Sequence, residues 1–595
     1  MTFSNERLAI LYGSQTGNAQ DLAERIWRES KRFYFKAVLR ALDEYNVLDL
    51  VNEKCVIFIC STTGQGEEPD NMKTFWKFLL RKSLPRGVLS NLRVAVFGLG
   101  DSSYTKFNFA AKRLYKRLLN LGATAIVELG LGDDQHDLGY DAAADPWMAN
   151  VWKELLLLYP LPSGVQPLPK DYIFRPRWKV SATALDVDVN RQNSIYYCVK
   201  TGNEFDSTVL ENKRLTDASH FQDVRLIRFN TDGKHYNPGD ILALRPKNLQ
   251  WIVDEFMDVL SSNGVDIPPD SVFTLQQNDP DVPIPDVLRY KVTFSQLCLE
   301  YFDLLSIPRR QTFQVLAQLT DSELEKEKCL EFTTAEGQEE LFSYVNRPRR
   351  NIVEVLRDFP NATKNLTTDV LFEILPPIKP REFSIASSFK LSPNEIHILV
   401  AVVRFKTKLA KERVGLCSNF LADLKKHDRA SVWINKGSFK FPSDLDTPVI
   451  MVGPGTGVAT FRSYILERIS EGTATKDNLI LFYGCRYRNM DFLCGQDFEE
   501  LAEAHKMTFV TAFSREQYEK VYVQHKIIEH KEIVWKALQK KAYVYVAGNS
   551  KNMPQSVREA FTEVCIDIGG MTKEKAVHFM DIMDKTGRYQ TECWS

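Results

Sequence analysis

The fold is indicated first by residues 8–19, whose sequence is LAILYGSQTGNA. A short apolar run ends at Gly13, a loop of small polar residues follows, and helical spacing begins at Ala19. Apolar runs of similar length occur at 55–60, 93–98 and 124–130, each bounded by turn residues. Buried strands that alternate with helices predict a doubly wound parallel sheet, in which ligands bind beyond the carboxyl ends of the strands.

The composition is that of a multidomain globular chain and argues against several functions. With about 150 residues in a domain, a chain of 595 residues has room for about three or four. A formal net charge of −1 gives no general basic character, so we expect no nucleic-acid partner. The ten cysteines include no CxxC pair, which argues against a metal site or a disulfide framework and favours a reducing, cytoplasmic location. We expect no membrane anchor, because no apolar run approaches about 18 residues and the first residues do not resemble a signal peptide.

Changes in the sequence pattern along the chain predict four segments. Residues 1–155 form the doubly wound α/β domain, and five prolines between 160 and 176 predict a linker over 156–200. Strand patterns predict a β-barrel over 201–447, with a mainly helical insertion at about 247–375. Alternation of strands and helices returns at 448–595 and predicts a second, Rossmann-like parallel domain.

Loops that follow the strands of the first domain carry the residues of a binding site. They lie at 14–18, 61–66 and 98–104, and a fourth covers 131–134. The first loop precedes a helix, so its hydroxyls, amides and backbone N–H groups suit a phosphate at the positive helix end. It lacks the lysine of a Walker A loop. Taken alone it could be an ordinary Gly/Asn turn, but several such loops at one sheet edge favour a ligand with a phosphate and a flat ring.

Together these loops resemble the flavodoxin-like FMN domain of the diflavin reductases, a family related to NADPH–cytochrome P450 reductase. The resemblance implies that residues 14–19 bind the FMN phosphate, that 61–66 and 99–108 flank the isoalloxazine ring, and that Asp133 lies near the ribityl chain or the ring edge. The implied FMN-binding residues are Ser14, Gln15, Thr16, Gly17, Asn18, Ala19, Thr62, Thr63, Gly64, Gln65, Leu99, Gly100, Asp101, Ser102, Ser103, Tyr104, Phe107, Asn108 and Asp133.

Two further motifs lie in the predicted barrel, REFS at 381–384 and GLCS at 415–418. An arginine suits a pyrophosphate and an aromatic ring suits a flat ligand, although RxFS alone is usually structural. Both motifs resemble FAD signatures of ferredoxin-reductase-like domains, and Phe383 replaces the family's usual Tyr. The residues that this resemblance implies for FAD are Arg349, Arg381, Glu382, Phe383, Ser384, Gly415, Leu416, Cys417, Ser418 and Trp594. For Arg349, a plain surface role stays open.

The last domain carries the motifs of a dinucleotide site. Residues 453–457, GPGTG, follow an apolar strand and open a helix, as a pyrophosphate-binding turn does. The segment 514–524 combines hydroxyls with two cations, which suits the 2′-phosphate of NADPH, while a solvated surface is the alternative. The predicted NADP-binding residues are Gly455, Thr456, Ser514, Arg515, Lys520, Tyr522, Gln524 and Ser556.

The chain ends in YQTECWS at 589–595. In the resembled family the penultimate Trp covers the FAD ring and has to move before hydride transfer. The resemblance therefore implies that Ser384, Glu592 and Trp594 are catalytic. Departures from the family pattern are Ala547 for a usual Cys, Thr460 for a usual Pro and Ser556 for a frequent acid.

The resemblance implies an electron relay from NADPH through FAD and FMN to a one-electron acceptor. Our hypothesis from the Pro-rich tether at 160–176 is that it lets the FMN domain move between the FAD edge and the acceptor. The short, anchorless form is similar to members that supply an anamorsin-like iron–sulfur protein in cytosolic iron–sulfur cluster assembly. A haem protein is the alternative acceptor, and a non-catalytic scaffold is the alternative of another class. An acidic stretch at 118–152, which lacks Lys and Arg, is either a solvated rim or a docking face for a basic partner.

Overall fold

The computed structural model describes residues 6–64, 66–104, 106–169, 172, 175–183, 194–196, 203–279, 282–550 and 552–594. The chain divides into two units, and the division crosses it several times. The first unit contains 1–199, 250–377 and 407–410, and the second contains 200–249, 378–406 and 411–595. Each unit is therefore built from segments that are far apart in the sequence.

The first unit begins with the expected doubly wound domain. Its parallel strands lie in the order Lys36–Ala41, Arg7–Gly13, Cys55–Ser61, Arg93–Gly100 and Thr124–Ala125, with Gly130–Asp133 also paired to Arg93–Gly100. Helices Asn18–Arg32 and Asp141–Leu158 pack their apolar residues on one face, and Lys73–Leu79 and Phe109–Asn120 pack theirs on the other. Both faces are thus buried, which is why these strands are continuous apolar runs rather than alternating ones.

The prediction of one strand over 124–130 is wrong. Thr124–Ala125 pairs with Arg93 and Val94, and the N–H of Ile126 still donates to the carbonyl of Val94 at 2.8 Å. The chain then leaves the sheet until Gly130–Asp133 pairs with Phe97–Gly100. The freed carbonyl of Glu128 accepts a hydrogen bond from Trp147 Nε1 at 3.0 Å, which satisfies it away from the ladder. The detour places Asp133 at the carboxyl edge of the sheet.

Described residues of the predicted linker bond to the doubly wound domain and to the insertion. The backbone N–H of Leu168 donates to the carbonyl of Arg32 at 2.9 Å, and Tyr34 donates to the carbonyl of Gln166. Residues 166–169 are therefore attached to the doubly wound domain. Further on, Trp178–Thr183 forms a strand that pairs with Val272–Gln277 of the insertion.

The insertion is mainly helical, as expected, and also contains a small sheet. The sheet has the order Val292–Thr293, Val272–Gln277 and Trp178–Thr183. The helices are Gln250–Ser262, Phe294–Gln296, Arg310–Leu319, Glu323–Glu331, Gln338–Leu341, Ile352–Asp358, Pro360–Thr363 and Thr368–Ile374, with π-helical turns at Leu297–Tyr301 and Phe342–Asn346.

The second unit contains the expected β-barrel. Its strands lie in the order Arg381–Ser384, Ile241–Leu244, Arg429–Asn435, Phe205–Arg214, Val224–Asn230 and Glu395–Ala401. A bridge between Ile385 and Ile398 joins the two ends of this order, which closes the barrel around an apolar core. A short pair, Arg404–Phe405 and Arg413–Val414, precedes the helix Leu416–Asp423.

The rest of the second unit is the expected parallel domain. Its strands lie in the order Thr508–Phe513, Leu479–Cys485, Val449–Val452, Tyr543–Asn549 and Tyr589–Trp594. The last strand was not predicted, because its side chains are only half-buried and the apolar signal is weak. The helices are Val458–Ser470, Arg488–Asp491, Gly495–Glu503, Val523–Glu529, Lys531–Gln539, Met553–Asp567 and Lys573–Lys585.

Across the described part of the chain, no helix has both the length and the apolar character that a membrane crossing requires.

Candidate active site

The sheet register of the first domain brings the predicted loops together at one edge. Gly13 is paired with Cys60, Ser61 with Leu99, and Gly100 with Asp133. The loops that follow these strand ends therefore begin side by side. A hydrogen bond from the backbone N–H of Thr62 to the carbonyl of Leu99, 2.9 Å long, extends the contact beyond the strands.

The loop at 14–17 is shaped for an anion. Gly17 has φ of 105°, a left-handed conformation that favours glycine, and the helix begins at Asn18 without a side-chain cap. Ser14 Oγ accepts a hydrogen bond from the N–H of Gly17 at 3.1 Å, and Asn71 Oδ1 accepts one from the N–H of Ser14 at 2.8 Å. Thr16 is exposed and Ala19 is buried. An uncapped helix end beside a rigid polar loop can bind a phosphate through backbone N–H groups.

The loop after Cys55–Ser61 is a tight turn. The carbonyl of Glu67 accepts from the N–H of Thr63 at 3.0 Å, and Gly64 has φ of 46°. Thr62 Oγ1 accepts from the N–H of Ala110 at 3.3 Å, so the turn is fastened to the next helix. The predicted FMN-binding Gln65 lies outside the described residues.

The loop at 101–108 is held by Asp133. One oxygen of Asp133 accepts hydrogen bonds from the N–H groups of Ser102, at 2.9 Å, and Gln135, at 3.0 Å. Burial alone would raise the pKa of Asp133, but these hydrogen bonds outweigh it and leave the pKa below its ordinary value. The Asp133 carboxylate therefore positions the loop, and Ser103 donates in turn to Asp101 at 2.8 Å.

Asn108, at the end of this loop, is one of the implied FMN-binding residues, and the sequence did not indicate that its side chain would be buried beneath the loop. Its side chain is completely buried and donates to the carbonyl of Gly132 at 2.9 Å. A Cβ on Gly100 would come within 2.9 Å of the Asn108 backbone nitrogen, so glycine is required there. Asn108 thus supports the loop from beneath, whereas Tyr104 and Phe107 are half-buried on it. A phosphate cradle and a half-buried aromatic loop at one sheet edge together fit the parts of FMN.

In the second unit, the two predicted catalytic polar side chains are in contact. Ser384, at the end of the barrel strand Arg381–Ser384, donates from Oγ to Glu592 Oε1 at 3.3 Å. Ser438 donates to the other carboxylate oxygen of Glu592 at 3.1 Å. Arg381 and Glu382 are exposed, Phe383 is half-buried, and Trp594 is 38% exposed at the end of the last strand.

The second barrel motif begins a helix. Gly415 is its N-cap, and Leu416, Cys417 and Ser418 are buried in its first turn. Ser418 Oγ accepts from the N–H of Val403 at 3.0 Å. Burial raises the pKa of the Cys417 thiol to about 12, so the thiol stays protonated near neutral pH. This turn, with an exposed arginine and an aromatic ring on the neighbouring strand, fits the pyrophosphate and ring of FAD.

Arg349 belongs to the first unit, whereas the other predicted FAD-binding residues belong to the second. It has φ of 54°. Partial desolvation and the charge of Asp101 raise the pKa of the solvent-exposed Asp134 carboxyl, and the charge of Arg349 opposes this shift.

The last domain places its glycine-rich turn against the neighbouring strand. Gly455–Gly457 forms a helical turn between the strand Val449–Val452 and the helix Val458–Ser470. A Cβ on Gly457 would lie 2.2 Å from the carbonyl oxygen of Ala547, so the close approach requires glycine. Thr456 is half-buried, and Thr460 is buried in the helix.

The cationic segment forms the loop between Thr508–Phe513 and Val523–Glu529. Ser514 is buried, and its N–H donates to the carbonyl of Cys485 at 2.9 Å. The side chains of Arg515, Lys520 and Tyr522 are exposed, while Gln524 is half-buried in the following helix. Ser556 lies on the helix Met553–Asp567. A loop with two exposed cations at the carboxyl edge of a parallel sheet suits a phosphate-bearing dinucleotide.

A cavity of about 420 Å³ beside Arg515 adds residues that sequence reasoning missed. Phe221 is 73% exposed there, and the guanidinium of Arg486 lies 4.3 Å from its ring centre. The remaining lining residues are Ser219, His220, Tyr487 and Met490. No sequence signal connects these residues, because Phe221 and Arg486 meet only in the folded unit.

Apart from Asp133, the acidic residues of the stretch 118–152 fall into two groups, those in ion pairs and those exposed to solvent. Asp145 is paired with Arg25 at 2.7 Å and with Arg310 at 2.8 Å, and Asp141 is paired with Arg25 at 3.2 Å. These two carboxylates are therefore internal. Glu128, Asp134 and Asp137 are exposed.

Comparison with known proteins agrees with this order of domains. Residues 10–147 match the flavodoxin family model, residues 198–420 match the FAD binding domain, and residues 451–559 match the oxidoreductase NAD-binding domain. Flavodoxin, FAD-binding and NAD-binding domains in one chain define the class of diflavin reductases.

Relatives that match over their full length identify the family within this class. The chain is 46% identical to NADPH-dependent diflavin oxidoreductase 1 of Danio rerio, with 100% of both chains covered. It is 45% identical to the Xenopus laevis protein of that name, over 99% of this chain and 100% of the relative, and 38% identical to the Arabidopsis thaliana protein, over 99% of both. The chain belongs to the NADPH-dependent diflavin oxidoreductase 1 family, and it is an oxidoreductase with domains for FMN, FAD and NADPH.

Proposed function

We propose that the chain passes electrons from NADPH to FAD, then to FMN, and then to an iron–sulfur protein of the anamorsin type in cytosolic iron–sulfur cluster assembly. Bound flavins accept two electrons as hydride and release them singly, which a one-electron acceptor requires. The proposed location is cytoplasmic. The observation that carries the hydride-transfer step is the contact between Ser384 and Glu592, which joins the strand proposed for FAD to the last strand of the dinucleotide domain.

The residues of the second unit have distinct proposed roles. Arg515 and Lys520 bind the 2′-phosphate of NADPH, and the turn at Gly455–Gly457 receives its pyrophosphate. Ser384 and Glu592 orient the nicotinamide and flavin relative to each other, and the hydrogen bond between the two side chains holds a proton at the site. With the cofactors bound, Trp594 would cover the flavin and would have to move before nicotinamide could approach, which would gate hydride transfer.

The residues of the first unit have a binding role. The N-terminus of Asn18–Arg32 and the loop at 14–17 bind the phosphate of FMN, and the loops held by Asp133 and Asn108 flank its ring. The exposed carboxylates Glu128, Asp134 and Asp137 form the docking face for a basic region of the acceptor, because complementary charge speeds encounter.

Two measurements test this proposal. Purified protein should be yellow with both flavins, and NADPH should bleach it; a colourless chain would instead favour the scaffold alternative. The NADPH-reduced protein is then mixed in a stopped-flow instrument with an iron–sulfur protein of the anamorsin type and with a haem protein. Fast reduction of the haem protein alone would contradict the proposed acceptor.

The docking face has its own test. Neutralising Asp137 and Glu128, as Asp137→Asn and Glu128→Gln, should slow acceptor reduction and reduce its salt dependence, since exposed charges act over about 8–10 Å at moderate salt. Asp286→Asn is the matched control, because Asp286 is an exposed acid of the insertion. Equal effects of the control and the test variants would contradict the assignment.

A further inference from the structure

The phosphate loop of the first domain has no cation of its own. Residues 14–19, SQTGNA, carry no Lys or Arg, and the helix that follows offers only its partial positive end. FMN carries a phosphate with close to two negative charges. A cation that balances the phosphate charge therefore has to come from outside residues 14–19.

A cation reaches the loop from the insertion. Arg309 lies just before the helix Arg310–Leu319 and is 291 residues from Asn18 in the sequence. Its Nη2 donates to Asn18 Oδ1 at 2.8 Å, and its Nη1 lies 3.4 Å from the carbonyl oxygen of Gly17. Both contacted residues belong to the turn that starts the helix Asn18–Arg32.

This contact determines the orientation of the Asn18 amide. A guanidinium has N–H donors and no acceptor, so the Asn18 atom that faces it has to be the oxygen. The Nδ2 donor of the same amide is then turned away from Arg309. Among the described residues none accepts a hydrogen bond from Nδ2, so this donor is available to a ligand of the loop.

The Arg309 guanidinium also has a carboxylate partner in the first turn of the helix Asn18–Arg32. Nη1 also pairs with Asp21 Oδ1 at 3.2 Å, and the other oxygen of Asp21 accepts from the hydroxyl of Tyr140 at 3.2 Å. Asp21 thereby holds the guanidinium in place, and the Tyr140 hydroxyl takes up part of the carboxylate's hydrogen-bonding capacity.

We propose that Arg309 is a positioning residue for the FMN phosphate: it turns the Asn18 amide donor toward the phosphate and brings a guanidinium, ion-paired with Asp21, to a loop that has no cation of its own. The inference rests on the proposed binding of FMN at residues 14–19. It assigns part of the FMN site to the insertion, outside the flavodoxin-like domain.

The test compares FMN with riboflavin, which has the same ring and ribityl chain but no phosphate. The full-length protein is depleted of FMN, and flavin fluorescence is followed as each ligand is added. Arg309→Gln should weaken FMN binding about tenfold, as expected for one hydrogen bond with a charged donor, and should leave riboflavin binding unchanged within about twofold. The ratio of the two affinities is the readout that a purely structural role would not move.

Arg310→Gln is the matched control. Arg310 is the next residue, but it pairs with Asp145 rather than with the loop. It should change the affinities for FMN and riboflavin by the same factor. Arg309→Lys keeps the charge without the planar fork and should restore part of the preference for FMN. Asn18→Ala combined with Arg309→Gln should cost less than the sum of the two single effects, because the two residues act on one donor.

The outcomes distinguish the role of Arg309 from the existence of the FMN site. An unchanged ratio of FMN to riboflavin affinity in Arg309→Gln, or an equal loss of both ligands, would overturn the role of Arg309. If Arg309→Gln does not fold, the same comparison is made with Arg309→Lys, whose unchanged ratio would also count against it. Wild-type protein that binds neither ligand would instead overturn the proposed FMN site itself.

Discussion

Ser384 Oγ donates a hydrogen bond to Glu592 Oε1 at 3.3 Å, and this bond connects the end of a barrel strand with the last strand of the dinucleotide domain. The two residues are 208 positions apart in the sequence. Ser438 fixes the second oxygen of Glu592 at 3.1 Å, so the carboxylate is held at both ends. A carboxylate held in this way has a defined orientation at the proposed site of hydride transfer.

Replacing Glu592 with Gln should slow the reduction of the protein by NADPH about 10- to 150-fold. This range corresponds to the loss of a hydrogen bond to a charged group, which is worth about 1.5–3 kcal/mol. Stopped-flow absorbance measures the rate, and the flavin content of the variant shows whether cofactor binding is intact. Ser438→Ala should have a smaller effect, because Ser384 still holds the carboxylate; a Glu592→Gln variant with the wild-type rate would refute the role.

Replacing Arg515 with Ala should raise the KM for NADPH about 10- to 150-fold and leave the KM for NADH nearly unchanged. Arg515 is exposed beside the cavity and is proposed to bind the 2′-phosphate, which NADH lacks. Steady-state kinetics with both nucleotides give the two values.

Phe221→Ala serves as the control for that experiment. Phe221 presents an apolar ring in the same cavity, so it should affect the adenosine portion that both nucleotides share. We expect its KM values for NADPH and NADH to rise together. A rise for NADPH alone in Phe221→Ala, or for both nucleotides in Arg515→Ala, would contradict the assignment.

Replacing Arg310 with Gln should destabilise the first unit by about 3 kcal/mol. Removing one partner of a buried ion pair costs about 3–5 kcal/mol, and Asp145 keeps its second partner, Arg25, which favours the lower end. Thermal unfolding followed by tryptophan fluorescence measures the change. Arg289→Gln breaks the exposed pair with Asp286 and should cost less than about 1 kcal/mol; similar losses in both variants would argue against the ranking by burial.

The stability of the second unit should decrease as the pH falls below 6.5, in part because of His397. Burial lowers the pKa of His397 from 6.5, the Glu395 carboxylate opposes this, and Arg462 and Arg228 add to it. Its Nδ1 is buried and has no hydrogen-bond partner among the described residues. Because the folded chain binds this proton less readily than the unfolded chain, the stabilisation is complete above the unfolded pKa. It is lost as the pH falls from there to the folded pKa.

His397→Gln should therefore flatten this dependence. Urea unfolding at pH 7 and at pH 5 gives the two free energies of unfolding, and each unit of pKa depression corresponds to about 1.4 kcal/mol. His578→Gln, at an exposed position, controls for the His-to-Gln replacement itself. A wild-type slope in His397→Gln would show that other groups cause the loss.

Local sequence was enough to find the strand–loop–helix units, because each strand is a continuous apolar run followed by a glycine-containing loop. The loops at 14–18 and 98–104 and the turn at 453–457 were located in this way, and the structure places each of them at the carboxyl end of a parallel strand. The same reasoning was wrong at 124–130, where an apolar run leaves the sheet between two short strands. Hydrophobicity indicates burial and not strand pairing, since Val127 packs against the core although it lies in neither strand.

The amino-acid sequence by itself determined the order of the domains, the fold class and the motifs for each cofactor, because these depend on periodicity and on short segments. Only the tertiary structure decided that Arg309 reaches Asn18, that Phe221 meets Arg486, and that Asp145 is an internal partner of Arg310 rather than part of an exposed acidic face. The sequence separation in these contacts ranges from 165 positions for Asp145 and Arg310 to 291 for Asn18 and Arg309. The residue type of a charged or aromatic side chain does not indicate its partner, because tertiary packing decides which distant residues come into contact.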